Sequence, residues 1–145
     1  MFDFTDNQLK LQEKIRAFIA ESVTPRLDSI DKGECQKEIF KEWCKTGLVC
    51  LVAPKAVGGI ELDTKSCAIV MEELGYGDVG VATALGANNL GSYPLIIAGT
   101  LEQQKQHFGA LLQGKYGAFA LTEKGAGSDA GAVATTADRK GDEYI

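Results

Sequence analysis

The chain has 145 residues, 45% of them hydrophobic and 24% charged, with a formal net charge of −5. That balance is ordinary for a globular protein, and the length predicts one compact unit. The acidic surplus argues against a nucleic-acid or anionic-membrane partner, and no apolar run approaches the about 20 residues of a membrane span.

Cys35, Cys44, Cys50 and Cys67 form no C-x-x-C pair, and His107 is the only histidine. The spacing of a zinc site is therefore missing, and no metal is expected. Cys44, Cys50 and Cys67 lie among apolar residues and read as small buried hydrophobes. With no secretory pattern at the start, reduced thiols and a cytoplasmic location are the expectation.

Thr5-Asp6-Asn7-Gln8 fits a capping box, and Leu11, Ile15, Phe18 and Ile19 follow at helical spacing. A helix over about 6–22 should bury that face, ending at Val23-Thr24-Pro25 because the residue before proline avoids the α region. A less regular stretch to about Glu34 follows. The next helix runs from about Gln36 to Thr46, with Ile39, Phe40, Trp43 and Cys44 inward and Gly47 after its end. Leu48 to Ala53 is a short apolar run stopped by Pro54. Either a buried strand or a turn packed under helices accounts for it, since so short a run has no decisive period. Val57-Gly58-Gly59-Ile60 reads as a loop.

A long helix should begin at Asp63 or Thr64 and bury Cys67, Val70, Met71 and Leu74. Glu72 and Glu73 read as its solvated face, because adjacent carboxylates alone are poor evidence for acid–base work. Asp78 can cap a further helix to about Leu90. Gly80, Ala82, Ala84, Gly86, Ala87 and Gly91 crowd this one with small residues. Interior glycines cost about 1 kcal/mol each relative to alanine. Close packing of a neighbour or a ligand along the wall must compensate. Pro94 to Ala98 reads as a short helical or turn segment, and Thr100-x-x-Gln103 as a second capping box. Phe108, Leu111 and Leu112 give the last helix its buried face, Gly114 closes it, and His107 is expected at the surface.

After Lys115 the pattern changes. Tyr116 to Leu121 and Val133 to Ala137 have strand composition, and Arg139-Lys140-Gly141-Asp142 reads as a hairpin turn. The expected fold is mainly α: an N-terminal helical bundle of five or six helices over 1–115, then the first strands of an incomplete β domain over 116–145.

Between those strands lies Leu121-Thr122-Glu123-Lys124-Gly125-Ala126-Gly127-Ser128-Asp129. Extended backbone, two hydroxyls and small residues suit a planar ligand with polar edges, although on composition alone a strand followed by an Asx- or Ser-capped turn is the favoured reading. Gly-Ala-Gly is neither the spaced dinucleotide fingerprint nor a P-loop.

The stretch resembles the flavin-binding signature of the acyl-CoA dehydrogenase family, an apolar strand running into T-E-P-G-A-G-S-D. Lys124 stands where that family usually has proline. Glu72-Glu73-Leu74-Gly75, Gly91-Ser92-Tyr93-Pro94, Gly99-Thr100-Leu101-Glu102-Gln103-Gln104-Lys105 and Gly141-Asp142-Glu143-Tyr144-Ile145 resemble it in the same order. The match covers the N-terminal part of the family's protein.

The resemblance implies an FAD enzyme that removes two hydrogens across the α and β carbons of an acyl-CoA and passes electrons to an electron-transferring flavoprotein, usually as a homo-oligomer. Carried over by motif, Phe119, Leu121, Thr122, Gly127 and Ser128 would bind the cofactor, with Ser128 also near the substrate's pantetheine arm. Gly86, Ala87 and Leu90 would line the acyl cavity. The family's catalytic glutamate lies beyond this stretch, so no catalytic residue is assigned, and the chain alone is expected to be inactive and to hold FAD weakly. The alternative is a non-catalytic helical module that pairs with another chain through an exposed β edge.

Overall fold

A computed structural model describes residues 3–145. Six α-helices carry the structure: α1 Asp6–Phe18, α2 Leu27–Asp31, α3 Gln36–Lys45, α4 Thr64–Gly77, α5 Val79–Ala98 and α6 Leu101–Leu112. A two-residue-per-strand hairpin, β1 Arg139–Lys140 and β2 Glu143–Tyr144, stands near the end. The molecule is thus a helical bundle followed by a sparse extended tail.

The helix ends follow their cap chemistry. The Thr5 hydroxyl accepts from Gln8 N while Gln8 Oε1 accepts from Thr5 N, closing the capping box of α1. Thr100 and Gln103 do the same for α6. Asp63 and Asp78 accept from Ser66 N and Val81 N at the starts of α4 and α5. Each cap satisfies an amide that the helix itself leaves unpaired. Gly47 and Gly114 follow α3 and α6 with φ of +76° and +83°, the left-handed turn that glycine adopts without a Cβ clash.

The irregular stretch expected after Val23 is more ordered than its sequence indicated. Helix α1 widens into a π-turn over Ile19–Val23, tightens to a 3₁₀ turn over Thr24–Arg26, and passes into α2. The Arg26 guanidinium bonds both Glu42 carboxylate oxygens, at 3.3 and 3.0 Å, and so ties this turn to α3.

The larger core contains Ile15, Phe18, Ile39, Trp43, Val70, Leu74 and Leu85 from four helices. Phe18 meets Trp43 edge to face at 5.1 Å. A smaller cluster of Cys50, Ala53, Phe108 and Leu111 secures α6. Fully burying one such large side chain contributes roughly 1.5–3 kcal/mol. Helix α1 packs along α4, α4 along α5 and α5 along α6.

Three sequence expectations change here. Glu73 is not solvated: it is 7% exposed and receives Arg16 through Nε and Nη2, both at 2.8 Å, and Gln12 at 2.6 Å. The helix begun at Asp78 does not stop at Leu90 but runs unbroken through Pro94 to Ala98. Proline there has no N–H for the Leu90 carbonyl, and Gln104 of α6 donates to Leu95 O at 3.0 Å in the turn that follows. Residues 116–121 and 133–137 form no strand; their backbones are irregular.

Candidate functional site

Leu48 to Ala53 forms neither strand nor helix, although Leu48, Val49, Cys50, Leu51 and Ala53 are all buried. Its polar backbone must therefore find partners elsewhere. Helix α5 supplies two. Asn88 Nδ2 donates to Val49 O at 3.0 Å, and Asn89 Oδ1 accepts from Leu51 N at 2.7 Å. Adjacent asparagines, poor helix formers on propensity alone, thus hold the buried loop.

On one side of α5 lies a cavity of about 200 Å³ lined by Leu51, Cys67, Met71, Gly86, Leu90 and Tyr93, among others. Of the three positions expected to line an acyl cavity, Gly86 and Leu90 do line this one. Ala87 is half-buried on the same helix but does not. A Cβ on Gly86 would come within 2.9 Å of the Met71 methyl, so close helix packing and an open cavity coexist there. The lining is mostly apolar, with Asn89 the polar residue on the α5 wall. A second cavity of about 240 Å³, lined by Ile39, Phe40, Val81, Leu85 and Tyr116, lies against the N-terminal half of α5.

Beyond α6 the chain leaves the bundle at Tyr116, whose ring stacks on Phe40 at 3.9 Å. Gly117 N donates to Asn88 Oδ1 at 2.6 Å. Gly91 has no Cβ to stand in the way of the Ala118 carbonyl, which would lie 2.8 Å from one. Residues 118–122 then make no hydrogen bond to the chain among the described residues. Their backbone N–H and C=O groups, and the Thr122 hydroxyl, remain free to meet a ligand.

The loop after Thr122 is shaped by its own polar groups. Glu123 and Ala126 exchange backbone hydrogen bonds at 2.9 and 3.2 Å, closing a tight turn over Lys124 and Gly125. The Glu123 carboxylate accepts from Ala134 N and Thr135 N, both at 3.0 Å. Those bonds to Thr135 and Ala134 hold its pKa below the usual carboxylate value. Phe119 and Leu121 are 41% and 45% exposed, and Thr122, Gly127 and Ser128 are exposed as well. The expected cofactor residues are therefore all exposed. Lys124 is exposed too.

His107 departs from its expected surface position. It is half-buried, and its Nε2 lies 3.1 Å from the Ser92 hydroxyl, which itself donates to Asn88 O at 2.6 Å. Burial lowers its pKa. Asn88, Asn89, Ser92 and Glu123 are the positions that reading the sequence left without roles. Only tertiary contacts give them any, since asparagine and serine inside a helix carry no local signature.

Among the described residues no helix is long and apolar enough to cross a membrane. All four cysteines are free thiols, Cys50 buried and Cys44 and Cys67 half-buried. Burial raises the pKa of each of these three.

The profile described as the acyl-CoA dehydrogenase N-terminal domain matches residues 5–115. The chain belongs to the acyl-CoA dehydrogenase family. It is 38% identical over 145 residues to the 3-(aryl)acrylate reductase of Clostridium sporogenes (strain ATCC 15579), a match that takes in 98% of this chain and 38% of the relative. A chain in the structure of the electron transferring flavoprotein of Acidaminococcus fermentans superposes with a TM-score of 0.88 at 32% identity, covering 100% of this chain and 39% of that one. Acyl-CoA dehydrogenase from Bacillus anthracis, complexed with FAD, superposes with a TM-score of 0.82 at 34% identity, over 93% of this chain and 24% of that one. The chain thus spans well under half the length of the proteins it matches.

Proposed function

We propose that this chain is the N-terminal part of an FAD-dependent acyl-CoA dehydrogenase. In this reading residues 1–115 are the helical domain and 116–145 begin the β domain. The whole enzyme removes hydrogens from the α and β carbons of an acyl-CoA thioester and passes electrons to an electron-transferring flavoprotein.

One observation carries the reading. A segment with unpaired backbone groups and a free hydroxyl follows directly on the Asn88–Gly117 contact with α5, and α5 also lines a largely apolar cavity. Those two surfaces suit a flavin edge and an acyl tail.

The residues fit the group. Backbone groups at Leu121 would meet the pyrimidine edge of FAD, and the Thr122 hydroxyl would donate where negative charge develops. A donor fixed in advance stabilises that charge without reorganisation. Phe119 would stand at the same edge. Gly127 leaves room for a phosphate, and Ser128 offers it a hydroxyl or serves the pantetheine arm of the substrate. Bound FAD would supply the hydride acceptor. Gly86 and Leu90, with Ala87 beside them, would set how deep the acyl chain penetrates. This chain orients the ligands; the general base, the remaining cofactor contacts and the exclusion of water belong to a homo-oligomeric enzyme of the family's full length.

Residue-resolved NMR of the chain titrated with FAD, then with an acyl-CoA, tests this. Shifts are expected at 119–128 for FAD and at 86–90 for the acyl chain. Shifts confined to other surfaces, or none at saturating ligand, overturn it.

The exposure of nearly every residue from 118 to 145 favours one second reading, a non-catalytic module that pairs through the open edge of the hairpin. That reading predicts a concentration-dependent complex in sedimentation that needs residues 139–145 and ignores FAD.

A further inference from the structure

The geometry points to Asn88 as the positioning residue that sets the flavin-facing segment in register with the acyl cavity. The inference rests on the functional reading above and deepens it.

Asn88 is 2% exposed and uses both ends of its amide. Nδ2 holds the Val49 carbonyl at 3.0 Å, and Oδ1 holds the Gly117 amide at 2.6 Å. One planar group thus clamps the buried 48–53 loop and the start of the tail. A carboxylate lacks the donor, and an apolar side chain lacks both.

The second bond has a particular place. Among the described residues it is the last hydrogen bond joining the tail to the helices. Every later one, from Glu123–Ala126 to Asp138–Ile145, closes within residues 123–145. Packing reinforces it. A Cβ on Gly117 would lie 3.2 Å from Asn88 Oδ1, and one on Gly91 would lie 2.8 Å from the Ala118 carbonyl. Tail and helix therefore touch backbone to backbone between 117 and 118.

Residues 118–122 then run free toward the flavin-facing positions. At about 3.3 Å per extended residue, Thr122 stands within roughly 17 Å of the clamp. Gly86 and Leu90 flank Asn88 on α5 by two residues each way and line the cavity wall. Helix α5 is in this way a common ruler: one side sets the acyl wall, and Asn88 sets where the flavin edge begins. Displacing Gly117 moves the second surface without touching the first.

The test compares Asn88→Ala with Asn88→Asp in the same chain, read by amide hydrogen exchange at single residues. Asn88→Ala removes the acceptor for Gly117. Asn88→Asp keeps an acceptor there but replaces the donor to Val49 with a second oxygen in the buried site. Gly117 is expected to exchange about tenfold faster in Asn88→Ala, and within about threefold of the unaltered chain in Asn88→Asp. Exchange at Leu85 and Ser92 on α5 should stay within threefold in both. FAD-induced shifts at Thr122 and Ser128 should vanish in Asn88→Ala and persist in Asn88→Asp.

Unchanged exchange at Gly117 in Asn88→Ala overturns the inference. So does loss of protection along all of α5, which marks a merely structural residue. So does failure of Asn88→Asp to restore the FAD response. If the unaltered chain shows no FAD response, the flavin reading falls instead, while the exchange pattern still decides whether Asn88 docks the tail.

Discussion

Glu73 illustrates how one residue changes meaning when its neighbours are known. Beside Glu72 it looks like half of an exposed pair. In the fold it turns inward against α1, where Arg16 and Gln12 meet it. The bonds from Arg16, and then Gln12, lower its pKa. A lowered carboxylate pKa means the folded state favours the ionised form, so the pair stabilises above the ordinary glutamate value of about 4.3 and its contribution disappears as pH falls through the lower folded value. Arg16 is 60% exposed, so solvent screens much of the attraction. Glu73→Gln should cost about 1 kcal/mol at pH 7. The deficit should shrink as pH falls below the ordinary glutamate range, and denaturant titrations of the two proteins at successively lower pH should converge.

Helix α5 contains two glycines whose environments predict opposite outcomes. At Gly86 a new methyl would press on the Met71 terminus, which can swing away. Gly86→Ala should therefore stabilise the fold by up to about 1 kcal/mol, the helical preference for alanine, while narrowing the cavity. In a complete enzyme Gly86→Leu should shift kcat/KM toward shorter acyl chains; an unchanged length profile would count against the cavity assignment. At Gly91 the obstacle is the Ala118 carbonyl, a backbone atom that cannot rotate aside. Gly91→Ala should gain no stability in thermal unfolding and should speed amide exchange at 117 and 118. The small-residue pattern announced an unusual helix. It did not say which glycine faced a side chain and which faced backbone, because that depends on Met71 of α4 for one and on Ala118 of the tail for the other.

At the scale of the whole molecule, the helices and the tail are unequal. Both hydrophobic clusters lie within the bundle, and residues 116–145 reach it chiefly through the Phe40–Tyr116 stack and the Asn88–Gly117 bond. A chain ending at Ala118 should keep its helical circular dichroism and a single cooperative unfolding transition. Loss of that transition would mean the tail contributes to the core. The loop from Thr122 to Ser128 is open on one side: Thr122, Lys124, Gly125, Gly127 and Ser128 are exposed, while 134–135 hold only Glu123. An open wall leaves a flavin largely in water, so the chain mixed with FAD and passed through a desalting column should emerge colourless. A one-to-one yellow complex would show that these residues suffice by themselves.

Capping boxes at Thr5 and Thr100, the aspartate caps at 63 and 78, and the apolar faces of the helices were all legible in the sequence. Each depends on residues within one or two turns of one another, where spacing dictates contact. The T-E-x-G-A-G-S-D stretch was legible for the same reason, as a contiguous string. The inward turn of Glu73, the passage of α5 through Pro94 and the irregular backbone after Lys115 were not, and neither were the roles of Asn88 and Ser92. Each depends on groups distant in sequence: Arg16 for Glu73, Val49 and Gly117 for Asn88, His107 for Ser92. The sequence by itself determined the caps and apolar faces of the long helices and marked 121–129 as the candidate binding loop. Only the tertiary structure decided how α5 joins that loop to a cavity, because the joining bonds cross from one segment to another.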